Sequence, residues 1–215
     1  MSLLRARNGT LYELPIFLPV YHPIASPVPM ELWVSEFDVE ACIVNAFFLY
    51  KDRATRTAFK AGKKIQEHIS FPGLVMTDSG AFQGFQGELY LKNKTIVLFQ
   101  EMIGADIVSP LDLVTPPGDK RTVAEKKWKR TLIRTKEAKE LLSEATLAGV
   151  QQGGRYYDIR RQCTGELLEL DISYLALGSL VPFFNKNHDM GFVGTVIKDA
   201  RDMCGKNMPI HVYGA

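Results

Sequence analysis

No stretch of about 20 consecutive apolar residues occurs in the sequence, so no segment is expected to cross a bilayer as a helix. The first fifteen residues, MSLLRARNGTLYELP, hold no long apolar core and no cleavage-like site, which argues against secretion. Cysteine is scarce. The three present, Cys42, Cys163 and Cys204, are far apart and form no C-x-x-C pair. A zinc site built on them would need closer ligand spacing, so reduced, mostly buried thiols of a cytoplasmic protein are expected. A strong charge of either sign is also lacking: 26 basic against 24 acidic residues leave a formal +2. That balance neither predicts nor forbids a nucleic-acid partner, because local patches decide. Low-complexity segments and breaks in composition are absent as well.

What is present is a long alternation of apolar runs and amphipathic stretches. At 215 residues and 46% apolar, the chain can bury a substantial core, and residues 1–215 read as one domain. Strands are expected at Leu14–Val20, Ala41–Tyr50, Gly73–Asp78, Ala105–Asp112, Ala148–Gly154, Ser173–Ser179 and Pro209–Gly214. Between them fall helical patterns. Asp52 is placed to cap a helix through Ile69, and Gly104 to end the helix that begins at Asn93. TVAE, Thr122 to Glu125, fits a capping box that opens a long helix to about Ala145, with Ala124, Trp128, Leu132 and Leu142 as its buried stripe. Two further helices are expected over Tyr157–Leu170 and near Gly191–Cys204.

Alternating strands and helices indicate βα units and a mostly parallel sheet. Seven strands could form an open doubly wound sheet, whereas a closed barrel needs eight. Polar residues decide between the two. Asp78, Asp112, Gln151-Gln152-Gly153 and Gly178-Ser179 all follow directly on apolar strands. In a parallel barrel those strand ends converge on one face, where active sites are built. An open sheet would scatter several of them. The expectation is therefore an α/β fold, a (β/α)8 barrel of the TIM type lacking its last βα unit.

The most informative stretch is VMTDSGAFQGFQG, residues 75–87. Asp78 can accept two N–H donors or act as a base. Ser79 and Gly80 let backbone N–H groups approach a ligand closely, Phe82 offers a ring face for stacking, and Gln83 and Gln152 each donate and accept. With Asp112 as a second carboxylate, the set suits a planar heterocycle with donor and acceptor edges, such as a purine-like base. A sugar phosphate would call for Lys or Arg beside glycines at a helix N-terminus, which these loops lack. Taken singly, DSG reads equally as a turn, PLD as a cap and QQGG as a loop. Recurrence at successive strand ends lifts them above that reading. The Lys- and Arg-rich helix KRTVAEKKWKRTLIRTKEAKE could meet a phosphate backbone. Its simpler reading is a solvated outer helix with i,i+4 ion pairs.

In this order the motifs resemble the tRNA-guanine transglycosylase family, which exchanges a guanine in tRNA for a 7-deazaguanine base. MTDSGAFQ resembles its base-binding signature, and IGADIVSPLDLVTPPGDKR its archaeal, archaeosine-type branch. NAFFLY, GVQQGG and LALGSLVP follow in order, so the resemblance covers residues 11–215. It implies a (β/α)8 barrel and a double displacement through a covalent ribosyl-enzyme intermediate, with a preQ0- or queuine-type base incoming. By position, Asp78 is implied as base-binding and general acid/base. Ser79, Gly80, Phe82 and Gln83 are implied to flank or stack on the base. Asp112 is implied to read the amino and ring N–H edge of guanine. Gln152, Gly153 and the backbone at Gly178 and Ser179 are implied to meet its carbonyl.

Two departures are mild: Ser179 stands where the family usually has a second glycine, and QQGG varies the usual VQG. A larger one is that the family's nucleophilic Asp, in a short FD motif, and its zinc ligands, three Cys and a His, have no counterpart up to Ala215. Both are expected downstream, and no cofactor is expected within this stretch. The implied partners are tRNA, a guanine or 7-deazaguanine base, and either a homodimer mate or a complementary subunit, with no membrane. A non-catalytic base- or tRNA-binding partner is the alternative from a different class. A phosphate-handling barrel enzyme is a third, without a phosphate-gripping loop to support it.

Overall fold

The computed structural model describes residues 2–85, 91–185 and 188–214; Gln86 and Gly87 of the DSG stretch lie outside them. Two short strands, β1 (Leu3–Arg5) and β2 (Leu11–Glu13), pair antiparallel. The remaining strands are β3 (Val20–Tyr21), β4 (Ala41–Asn45), β5 (Leu74–Asp78), β6 (Ile107–Val108), β7 (Thr146–Gln151), β8 (Tyr174–Leu177) and β9 (Ile210–Val212). They form one seven-stranded sheet, every pairing parallel, in strictly sequential order from β3 to β9. An open doubly wound sheet reverses its strand order at a switch point; this one never does. It is a TIM-type barrel sheet lacking one βα unit.

Side-chain alternation gives the sheet an inside and an outside. Ala41 and Ile43, Leu74 and Met76, Ile107, Ala148 and Val150, and Tyr174 and Ala176 pack into one inner cluster. Leu4 and Tyr12 of the β1–β2 ribbon close the bottom of that cluster. The alternate residues Cys42, Val44 and Val75 face helices, in a cluster with Phe59, Ile65, Ile96 and Phe99. A second outer cluster joins Leu175 and Leu177 to Trp128, Ile159, Cys163 and Val196.

The helices are α1 (Met30–Ser35), α2 (Ala46–Lys51), α3 (Arg53–Lys60), α4 (Ile65–Ile69), α5 (Ala81–Phe85), α6 (Asn93–Met102), α7 (Arg121–Leu141), α8 (Tyr157–Glu169), α9 (Val181–Asn185) and α10 (Met190–Cys204). Asp52 does cap α3, accepting the Thr55 N–H. Gly104, at φ +84, follows α6.

Several expected elements are corrected. Leu14–Val20 is not a strand: Pro15 and Pro19 have no N–H to give a ladder, and only Val20–Tyr21 pairs. Ala41–Tyr50 is a strand only to Asn45. Its apolar second half is helix α2, buried at Ala46, Phe47 and Leu49; Ala46 to Tyr50 are all apolar or aromatic, so no polar face betrays the helix. The single helix expected through Ile69 is two, broken after Gly62 at φ +104. The strand expected over Ala105–Asp112 pairs only at Ile107–Val108, because Gln100 takes the Ser109 N–H and Pro110 follows. The capping box at Thr122 does not form. Helix α7 starts one residue earlier with no side-chain cap on Lys120, and Glu125 pairs with Arg121 instead. Leu142 lies past the end of α7 and packs with the small cluster around Val97 and Val108, whereas Ala124, Trp128 and Leu132 are buried in the α7–α8 layer as expected.

Strands β3 and β9 lie at the two edges of the sheet. A groove of about 600 Å³ runs between them, lined by Leu14–Val20 on one side and Met208–Gly214 on the other. Phe17 and Val20 stand 73% and 72% exposed there, so this apolar edge is uncovered.

Candidate active site

The inward parity of each strand decides what stands at the barrel mouth. Continuing Ala41–Ile43 inward gives Asn45; Leu74–Met76 gives Asp78; Ile107 gives Ser109; Ala148–Val150 gives Gln152; Tyr174–Ala176 gives Gly178. Asn45 and Asp78 are direct register partners, as are Gln151 and Leu177. The five strand ends therefore lie near one level.

Asp78 is held from two sides. Asn45 caps α2 by accepting the Phe47 N–H at 2.9 Å, which turns its amide nitrogen toward the site. That nitrogen donates to Asp78 Oδ2 at 3.0 Å and to Gln83 Oε1 at 3.1 Å. The backbone N–H groups of Gly80 and Ser79 also donate to the carboxylate. Burial is the larger influence and pushes Asp78 up to about 6 against those donors. Gly80 is required by geometry. It sits at φ +84, and a Cβ there would lie 2.3 Å from Phe47 Cβ. The glycine thus brings the N–H to the carboxylate while the chain turns over α2. The Ser79 side chain is fully buried, and its Oγ has no hydrogen-bond partner among the described residues. Phe82, in the first turn of α5, is 51% exposed and leaves its ring face at the surface.

Asp112 follows Pro110 and Leu111 beyond β6. Gln152 Nε2 donates to Asp112 Oδ2 at 2.5 Å, and the Ser179 hydroxyl donates to Gln152 Oε1 at 2.8 Å. The Ser179 Oγ in turn accepts the Thr115 N–H at 2.9 Å. Ser179 lies at φ +57, the left-handed region in which glycine is the unstrained choice. Gly178 lets the Gln152 amide lie across the backbone, since a Cβ there would sit 2.5 Å from Gln152 Nε2. Gly153, at φ +150, leaves room for Arg160, whose Cγ a Cβ would meet at 2.8 Å. Burial pushes Asp112 up to about 7, the nearby Asp78 charge adds to this, and Gln152 and Arg134 oppose it.

Two residues at the site are not among the candidates read from the sequence, although Asn45 opens the NAFFLY motif. Asn45 is found by the parity argument above. Tyr213, beyond β9, shares a hydrogen bond of 3.0 Å with Ser109 Oγ. Burial and the charges at Asp78 and Asp112 raise its pKa, so it is a neutral hydroxyl at the mouth.

Other carboxylates stand elsewhere. Asp106 precedes β6 at the opposite end of the sheet and accepts from Arg7 N, Gln66 and Val75 N. Asp158 pairs with Arg121 on the outer layer, and Asp189 caps α10. Helix α7 spends part of its positive charge on Glu125, Asp158, Asp119 and Asp171. Among the described residues no group of three His, Cys, Asp or Glu is placed to hold a metal. The cysteines lie on three separate elements, β4, α8 and α10. No helix among the described residues is long and apolar enough to cross a membrane.

The mouth thus presents a carboxyl opposite a carboxyl, an amide locked in orientation, and backbone donors at Ser79 and Gly80. Comparison with known proteins places the chain among characterised relatives. A tRNA-guanine(15) transglycosylase from Methanopyrus kandleri is 34% identical over 210 residues, 96% of this chain and 45% of that protein. One from Pyrococcus furiosus is 34% identical over 211 residues, 97% of this chain and 35% of its own length. One from Methanobrevibacter smithii is 32% identical over 222 residues, 100% of this chain and 32% of its own. The chain therefore spans less than half the length of these relatives. A family profile described as queuine tRNA-ribosyltransferase matches residues 1–215. With the whole chain matched, this protein belongs to the queuine tRNA-ribosyltransferase family.

Proposed function

We propose that this chain supplies the base-recognition part of a tRNA-guanine transglycosylase. A guanine flipped out of the tRNA stack enters the barrel mouth. Its amino group and N1–H face the Asp112 carboxylate, and its carbonyl faces the Ser179 N–H and the Gln152 amide. Asp78, poised near neutrality, gives a proton to the departing base and accepts one from the incoming 7-deazaguanine. The nucleophile that attacks ribose C1′ is an Asp outside this chain, as is the family's zinc site. The work belongs to the cytoplasm, where tRNA is modified. The observation that carries this reading is the Asp112–Gln152–Ser179 hydrogen-bond chain facing Asp78, a donor and acceptor pattern fitted to a purine edge.

The absence of a third carboxylate at the mouth among the described residues, beside Asp78 and Asp112, favours a second reading, a non-catalytic base- or tRNA-binding partner of an active enzyme. Radiolabelled guanine exchange into unmodified tRNA separates the two. The assay uses the chain alone, and the chain with the C-terminal part of a full-length relative supplied in trans. The enzyme reading expects exchange only in the supplemented reaction. Exchange by the chain alone would place the nucleophile within it, and guanine binding without exchange in either reaction would favour the partner.

A further inference from the structure

The structure assigns Arg160 as a positioning residue that aims the Ser179 N–H at the base carbonyl; this rests on the base-pocket reading above. Arg160, on α8, is 2% exposed. Its Nε donates to Gly154 O at 2.8 Å, Nη1 to Gln151 Oε1 at 2.9 Å, and Nη1 and Nη2 together to Gly178 O at 3.1 and 3.2 Å. Its guanidinium lies 5.7 Å from the ring centre of Phe192. Each of these acceptors is a neutral oxygen. A buried cation held this way adds little stability, and an apolar side chain of similar volume would avoid the desolvation cost. What the planar fork adds is geometry.

One guanidinium ties together the loop after β7, through Gly154, and the loop after β8, through Gly178. The Gly178–Ser179 peptide is planar and trans, so the Ser179 N–H points opposite to the Gly178 carbonyl. That carbonyl is turned outward, to α8. The Ser179 N–H is thereby turned inward, to the side of the sheet on which Gln152 and Asp112 stand. Fixing the carbonyl with two charged donors also polarises the peptide and strengthens its N–H as a donor. The preceding peptide is tied as well, its Gly178 N–H donating to Gln151 O at 3.0 Å, so both sides of Gly178 are anchored.

The test is calorimetric titration of guanine and of 6-thioguanine into the full chain, for the wild type, Arg160→Lys and Arg160→Met. 6-Thioguanine keeps the amino group and N1–H but presents a weakly accepting sulfur in place of the carbonyl. Lys keeps the buried charge without the fork, and Met removes the charge, so a folding defect in one leaves the other readable. The expected result is guanine affinity lowered about tenfold in both variants, the scale of one lost hydrogen bond, with 6-thioguanine affinity nearly unchanged. Equal weakening of both bases would make Arg160 merely structural and overturn the assignment, as would no weakening of either. If the wild type bound guanine and Asp112→Asn abolished it while both Arg160 variants kept wild-type discrimination, this assignment alone would fall. No guanine binding by the wild type would overturn the pocket reading and the assignment with it.

Discussion

Gln152 Nε2 stands 2.5 Å from Asp112 Oδ2 because Ser179 holds the other end of the same amide, its hydroxyl 2.8 Å from Gln152 Oε1. A protonated Asp112 could accept from the amide nitrogen or donate to its oxygen, so Asp112 alone does not fix the orientation. Here the Thr115 N–H fixes the Ser179 hydroxyl as acceptor on one side and donor on the other, and the relay leaves Gln152 one orientation.

Ser179→Gly should therefore leave stability within about 1 kcal/mol of wild type, the lost hydrogen bonds offset by relief of the left-handed backbone. Guanine affinity should fall about threefold to tenfold, the size of a weakened hydrogen bond. Chemical denaturation and calorimetry check the two halves separately. An unchanged dissociation constant would mean that the relay does not orient the base contact.

The Asp112 carboxyl is raised to about 7 from an ordinary value of 3.8. Between those values the folded state holds a proton that the unfolded state has released, so this group's contribution to stability falls as pH rises from 4 to 7. Asp112→Asn, which cannot ionise, should match wild type near pH 4 and exceed it near pH 7 by roughly 4 kcal/mol. Urea unfolding at the two pH values measures this. A stability difference independent of pH would contradict the raised value.

How much of this was legible in the sequence depends on the kind of signal. Asp78, Gln152 and Gly178 sit at strand ends because apolar runs end there, and runs are visible. The seven parallel strands and their order also followed from the alternation of elements. The segment at Leu14–Val20 misled because its apolar content suits a strand while Pro15 and Pro19 prevent pairing. Helix α2 was hidden because Ala46 to Tyr50 is an unbroken run of apolar and aromatic residues. Tyr213 carries no motif, whereas Asn45 opens NAFFLY and the inward parity of Ala41–Ile43 already points to it. Arg160 reads as one more charge on an amphipathic helix, and nothing in its spacing shows that Gly153 leaves room for it or that Gly178 O accepts from it.

Gly80→Ala places a methyl 2.3 Å from Phe47 Cβ at φ +84. Both the clash and the backbone angle oppose it, and a loss of about 2 kcal/mol or more is expected. The displaced Gly80 N–H also leaves Asp78 with one donor fewer, so guanine binding should weaken in parallel. A variant with wild-type stability would show that the turn over α2 is not constrained as described.

The groove between β3 and β9 leaves two strand edges with unpaired backbone groups beside the exposed Phe17 and Val20. A further βα unit, from the remainder of a longer polypeptide or from a partner chain, should fill it. Sedimentation of the 215-residue chain alone is expected to show self-association, reversed when a full-length relative's C-terminal part is added. A clean monomer that unfolds cooperatively and exchanges base unaided would contradict this.

The central claim is that Asp78 acts on the base rather than merely capping a turn. Asp78→Asn keeps the shape and the place of the side chain but removes its ability to take and return a proton. Guanine exchange into tRNA by the completed enzyme, measured beside the unfolding midpoint of the same variant, tests the claim directly. The account expects exchange to be lost while the midpoint stays near that of wild type; near-normal exchange would contradict it.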